Sequence, residues 1–164
     1  MARPRLLRHL ACGLLPMAAA AAFAGEAASH FECQVTGTES LPGLASAGAV
    51  AELTRFSCRV RGGLLDGFLA TGTSIWDGEQ RHGLLLGSLV VARKGGAVVV
   101  YELTRVTRHA RPRGADVSGW EGRGTGIYRL ATGPAVALAG RTFRSVARSA
   151  GHGAFTIETV VEDD

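Results

Sequence analysis

The sequence predicts an all-β protein, a single antiparallel barrel of about eight strands with little helix apart from an N-terminal signal peptide. Three observations predict it. Apolar residues alternate, or run in short stretches, between glycine-rich punctuation, and helical spacing is hard to find. No segment after the N-terminus is a long helix that could cross between parallel strands, so sequential antiparallel pairing is the economical topology. Closure into a barrel removes the edges that a Val-rich open sheet would expose.

The elements follow in order. Residues 31–36 read as a first strand, and 37–50, TGTESLPGLASAGA, as a small-residue loop. Residues 52–61 form a second strand closed by Gly62-Gly63. A third, 67–76, ends at the turn dipeptide Asp77-Gly78. A fourth covers 81–93, turned by Lys94-Gly95-Gly96 into a fifth at 97–106. Residues 107–117 read as a loop, 118–131 as the sixth strand, 133–140 as a single helical turn, and 141–148 and 153–162 as the last two strands.

The first 24 residues stand apart. Arg3, Arg5 and Arg8 precede an uncharged run from Leu10 to Phe23, and Ala22-Phe23-Ala24 forms an A-x-A cleavage signal. The run is short for a bilayer span, which takes about 20 apolar residues. The domain organisation is therefore a cleaved signal peptide (1–24) and one β-barrel domain (25–164), in the periplasm or secreted. The formal charge of +4 comes from 18 Lys+Arg against 14 Asp+Glu. Cleavage removes three arginines and no acid, leaving 15 against 14, a net of +1. Basicity therefore gives no ground for nucleic-acid binding, and no later run resembles a membrane-spanning helix.

Cys12 leaves with the signal, which pairs Cys33 with Cys58 in an oxidising compartment. Phe31-Glu32-Cys33-Gln34-Val35 and Phe56-Ser57-Cys58-Arg59-Val60 share the pattern F-x-C-x-V. On neighbouring strands, each cysteine falls between Phe and Val on one apolar face. A buried structural disulfide is the expectation.

The sixth segment sorts its residues most clearly. Trp120, Gly122, Gly124, Gly126 and Tyr128 fall on one face, and Glu121, Arg123, Thr125, Ile127 and Arg129 on the other. Unpaired charges inside a small barrel would each cost several kcal/mol, on the order of a buried ion's penalty. The glycine–aromatic face is therefore expected inside, where alternate glycines permit bending, close approach of a neighbour, or a cavity. The stretch GWEGRGTGIYRLATGPAVALAG followed by RTF, residues 119–143, resembles the allene oxide cyclase-like and dirigent-like barrels, which carry a G-T-G-x-F/Y segment leading into a small-residue turn. The resemblance implies an eight-stranded antiparallel barrel with a central cavity. It carries no catalytic residue across to this chain.

Chemical motifs are sparse. His30, His82, His109 and His152 are widely separated and show no metal-site spacing. Cleavage after Ser29 or Ala27 would place His30 first or third, both copper-chelating positions; cleavage before Gly25 leaves it an ordinary surface histidine. There is no G-x-S-x-G elbow and no G-K-[ST], and GRGTG at 122–126 reads as strand glycine rather than a nucleotide loop. No cofactor is expected. Arg105, Arg108, His109, Arg111 and Arg113 cluster around the 107–117 loop, as a solvated run or a site for an anionic partner. Glu102, Glu121 and Arg123 would be the catalytic set if their faces pointed inward; outward ion pairs with partners such as Arg129 are the plainer reading. Trp120, Tyr128 and Tyr101 are the candidate ligand-binding residues.

These readings favour an exported barrel that binds a small apolar ligand or serves an envelope interaction. The alternative is a cofactor-free isomerase or cyclase of the allene oxide cyclase-like type using a cavity acid. A buried acid facing an open cavity would favour the enzyme. The exported protein is expected to begin at Gly25; intact-mass analysis showing residues 1–24 retained would refute this.

Overall fold

The computed structural model describes residues 28–43, 50–77, 84–113 and 116–162. The signal segment 1–24, Gly78 and His82 lie outside the described residues. Eight strands appear in chain order: β1 (Ser29–Pro42), β2 (Val50–Arg61), β3 (Leu69–Asp77), β4 (Leu84–Lys94), β5 (Ala97–Arg113), β6 (Asp116–Ala131), β7 (Thr142–Gly151) and β8 (Ala154–Val161). Each pairs antiparallel with the next, and β8 returns to β1 through Ser29↔Thr159 to Gln34↔Ala154, closing the barrel. Short 3-10 turns at Gly63–Leu65 and Gly133–Leu138 are the helical elements of the described residues.

Two expected loops are strand. β1 runs on to Pro42, paired opposite Val50, and β5 and β6 continue as a hairpin until Arg113 faces Asp116. The reason is the same in both places. Register shifts at Val35/Gly37 and at Leu103/Arg105 break the two-residue alternation. The hydrophobic pattern then goes out of phase while the hydrogen-bond ladder continues. The third strand starts at Leu69, two residues later than its pattern suggests. The chain first makes the 3-10 turn, with the Gly67 N–H bonded to the Val60 carbonyl and the Phe68 N–H to the Leu65 carbonyl.

Inside, the side chains divide into two regions. Phe31, Tyr101, Tyr128 and Phe143 meet across one half of the barrel, their ring centroids 4.8–5.8 Å apart in edge-on or tilted contacts. Leu65, Phe68, Ala135 and Leu138 are buried beneath them, supplied by or beside the two 3-10 turns. Burying each large apolar side chain contributes about 1.5–3 kcal/mol, so this plug is the main hydrophobic core. Cys33 and Cys58 sit directly opposite each other on β1 and β2, buried and joined by a disulfide with Cα atoms 4.0 Å apart. Closing a loop of this length stabilises by about 3 kcal/mol in the chain-entropy model.

The inner face of β6 is the glycine–aromatic one, as its pattern suggests. Gly126 and Tyr128 are buried, while Arg123 on the outer face leaves 71% of its side chain exposed. Two of the glycines are there for contact. A Cβ on Gly124 would lie 2.5 Å from the Arg105 carbonyl oxygen and 2.9 Å from Val106 Cγ2, and one on Gly126 would strike the Glu102 carbonyl and the Phe143 ring. Those carbonyls flank the β5 bulge, in which Thr104 is the extra residue between Leu103↔Gly126 and Arg105↔Thr125. Gly124→Val should therefore destabilise by about 1–3 kcal/mol or more through overpacking, while Arg123→Ala should stay within about 0.5 kcal/mol. Denaturant melts of the two variants check this; a silent Gly124→Val would contradict it.

Candidate functional site

Beyond the plug, toward the end where β1–β2, β3–β4 and β5–β6 connect, the barrel holds a cavity of about 180 Å³. It is comparable to the roughly 150 Å³ engineered cavity that admits benzene in another protein. Strand parity explains its walls. On β2, Glu52, Thr54 and Phe56 alternate inward, and on β3, Ser74 and Trp76 do the same. β5 contributes Leu103, Val106 and Arg108, and β6 contributes Trp120, Gly122 and Gly124. Phe56, Phe155 and Trp120 form an aromatic wall, with centroid separations of 5.3 and 5.8 Å about Phe155. Across Gly122 there is room: an added Cβ would meet nothing closer than Val106 Cγ1 at 3.6 Å.

The serines in the wall are already engaged. Ser88 Oγ donates to the Thr73 carbonyl at 3.1 Å, Ser145 Oγ donates to the Gly124 carbonyl at 3.4 Å, and Ser74 Oγ accepts the Trp76 indole N–H at 2.9 Å. With those hydroxyls turned to the barrel itself, the cavity presents a largely apolar surface. Its charged members are Glu52 and Arg108. Glu52 is exposed at the rim and accepts a hydrogen bond from Thr54 Oγ1 at 3.3 Å. Arg108 is half-buried, with its guanidinium carbon 4.5 Å from the Trp120 ring centroid and 5.4 Å from that of Trp76. Such cation–π contacts contribute about 0.5–1 kcal/mol each when exposed and more when desolvated. Burial pushes the Arg108 pKa below its ordinary value, and the negative charge of Glu52 partly offsets that.

The residues singled out from sequence divide sharply. Trp120 lines the cavity, whereas Tyr101 and Tyr128 belong to the plug. Tyr128 also borders a separate recess at the capped end with Leu64 and Leu138. Glu102, Glu121 and Arg123 sit on the outer wall and do not converge on the cavity. Glu102 accepts from Arg129 Nε at 2.8 Å, and Glu121 accepts from Arg123 Nε at 3.0 Å and Arg148 Nε at 3.2 Å. The hydrogen bond from Arg123, followed by that from Arg148, holds the Glu121 carboxyl below its ordinary range against the opposing effect of desolvation. The basic cluster is not on a loop: Arg105 is exposed on the outside of β5, and Arg108, three residues further along the same uninterrupted ladder, falls on the opposite face toward the cavity. The side chains of His109, Arg111 and Arg113 lie outside the described residues. His30 lies within β1, with Nδ1 3.9 Å from Glu158 Oε1. No group of three or more His, Cys, Asp or Glu placed to hold a metal ion occurs among the described residues.

Sequence reasoning passed over Trp76, Glu52 and the Phe56–Phe155 wall, and it placed Arg108 in a loop cluster rather than in the cavity. Trp76 was within reach, since it shares parity with Gly72 and Ser74 at the end of its strand. The inward placement of Arg108 was not, because it depends on the bulge at Thr104. No protein-family model, curated protein or solved structure matches the chain. The resemblance at residues 119–143 therefore stands on those residues alone.

The Tyr101 hydroxyl is the one buried side-chain polar atom among the described residues that lacks a hydrogen-bond partner. Burial, reinforced by Tyr128, holds its phenol protonated well above the usual tyrosine range. A desolvated, unpartnered hydroxyl costs about 1–3 kcal/mol. Tyr101→Phe is therefore expected to leave stability unchanged or raise it by about 1 kcal/mol in denaturant melts. A loss of more than that would mean the hydroxyl has a partner in solution.

Proposed function

We propose that this protein is an exported barrel that binds a small apolar molecule in the cavity bounded by Phe56, Phe155, Trp76 and Trp120. The observation that carries the reading is the division of the interior. One half is packed with interlocking aromatic rings, while the other keeps an aromatic-lined space whose serine hydroxyls are bonded to the wall. A fold that needed only stability would gain by filling that space, since empty apolar volume forfeits dispersion contacts. Apolar cavities with a few placed polar groups are the usual form of a small-molecule site. The buried Cys33–Cys58 disulfide supports an oxidising compartment, in keeping with export.

An isomerase or cyclase would call for an acid or base held inside the cavity. Glu52, the carboxylate among the described lining residues, stands exposed at the rim with Thr54 as its partner. Binding is therefore the reading the lining supports. Native mass spectrometry of the exported protein, purified from its own host, is expected to show a co-purified small molecule that is lost on denaturation. Ala147→Leu, which grows a side chain into the cavity from β7, should lower that occupancy while leaving the melting transition in place. Occupancy unchanged in a folded Ala147→Leu protein would overturn the assignment to this cavity.

A further inference from the structure

Arg108 occupies a position that an arginine needs a reason to hold. It is half-buried, and its guanidinium is stationed beside two indoles. Both indoles have partners in the wall. Trp76 donates its indole N–H to Ser74 Oγ, and the Trp120 ring packs against Phe155 at a centroid separation of 5.8 Å. On the outer wall, by contrast, Arg55, Arg61, Arg129, Arg144 and Arg148 all reach carboxylates. Arg108 reaches none. Among the described residues its guanidinium makes no hydrogen bond and no ion pair, and Glu52 acts on it only at a distance. The indoles stabilise the positive charge through their faces but accept no hydrogen bond in the guanidinium plane. A half-desolvated planar fork of five donors, at the edge of an apolar cavity, matches a carboxylate.

We propose that the ligand of this cavity is a small organic monocarboxylate, an aromatic or short aliphatic acid, with its apolar body against Phe56, Phe155 and Ile157 and its carboxylate on the Arg108 guanidinium. This rests on the reading of the cavity as a ligand site and adds the ligand's chemical class. One arginine balances one negative charge, and the Glu52 carboxylate at the rim disfavours a doubly charged group such as a phosphate monoester. The cavity volume, about 180 Å³, suits a single ring or a short chain.

The chain contains two tryptophans, and both flank Arg108, so tryptophan fluorescence, excited selectively over tyrosine, reports on this site. The exported, disulfide-bonded protein is titrated with phenylacetate and hexanoate, and with their neutral counterparts phenylacetamide and hexanamide. The acids should bind at least about tenfold more tightly than the amides, the usual gain from hydrogen bonds to a charged group. Arg108→Gln should remove that difference, and Arg59→Gln, on the outer face of β2, should preserve it. The comparison of acid with amide on the unmodified protein needs no variant to fold. Equal affinity for acid and amide would overturn the carboxylate anchor and leave the apolar site standing. Binding of none of the four compounds at millimolar concentration would overturn the site as well.

Discussion

The close approach of β5 to β6 is the constraint on which the rest of the interior depends. The Glu102 and Arg105 carbonyls lean over Gly126 and Gly124 so tightly that no Cβ fits beneath either. That contact accommodates the extra residue, Thr104, and Thr104 Oγ1 donates back to the Thr125 carbonyl at 3.2 Å. A bulge changes the phase of everything after it in the strand. Before it, Tyr101 and Leu103 point inward; after it, Val106 and Arg108 do. Without the glycines, β5 would lose the room for its bulge, and Arg108 would fall on the solvent side of the wall.

The same strand pair separates stability from the cavity. Tyr101, Tyr128 and Phe143 lie on β5, β6 and β7 just before the bulge level, and there the interior is solid. Past it, side chains on the inner face become small: Gly122 and Gly124 on β6, Ser145 and Ala147 on β7. Space opens by subtraction, framed by Phe56, Phe155 and the two tryptophans. Every aromatic residue after residue 24 has a place in this scheme: four in the plug, Phe68 at its base and four around the cavity. The outer wall carries none, and is patterned with Arg–Glu pairs whose exposed geometry contributes little to stability.

Placing one cation inside a wall that otherwise keeps its ion pairs outside has an electrostatic cost, visible in the lowered pKa of Arg108. The two indole faces and the rim carboxylate of Glu52 compensate in part. Among the described residues, the Tyr101 hydroxyl is also polar and without a hydrogen-bond partner, but it lies in the packed half, where a ring of that size completes the plug. The two differ in what surrounds them: Arg108 faces a cavity and Tyr101 faces rings.

The sequence by itself determined the strand count and order, the antiparallel closure, the Cys33–Cys58 pair and the inward face of β6. All of these follow from a two-residue period, from turn dipeptides and from matched F-x-C-x-V segments, signals written within a few neighbouring residues. It also pointed to Trp120 as an interior residue, and to outward ion pairs for Glu102 and Glu121. Only the tertiary structure decided the strand ends at Pro42 and Arg113, the burial of Tyr101 and Tyr128 away from the cavity, and the convergence of Trp76, Arg108, Trp120 and Glu52. The physical reason is that bulges and interior volume are set by what two or more strands can fit between them. A single strand's pattern carries its period, but the register at which a neighbouring carbonyl meets a glycine belongs to the pair.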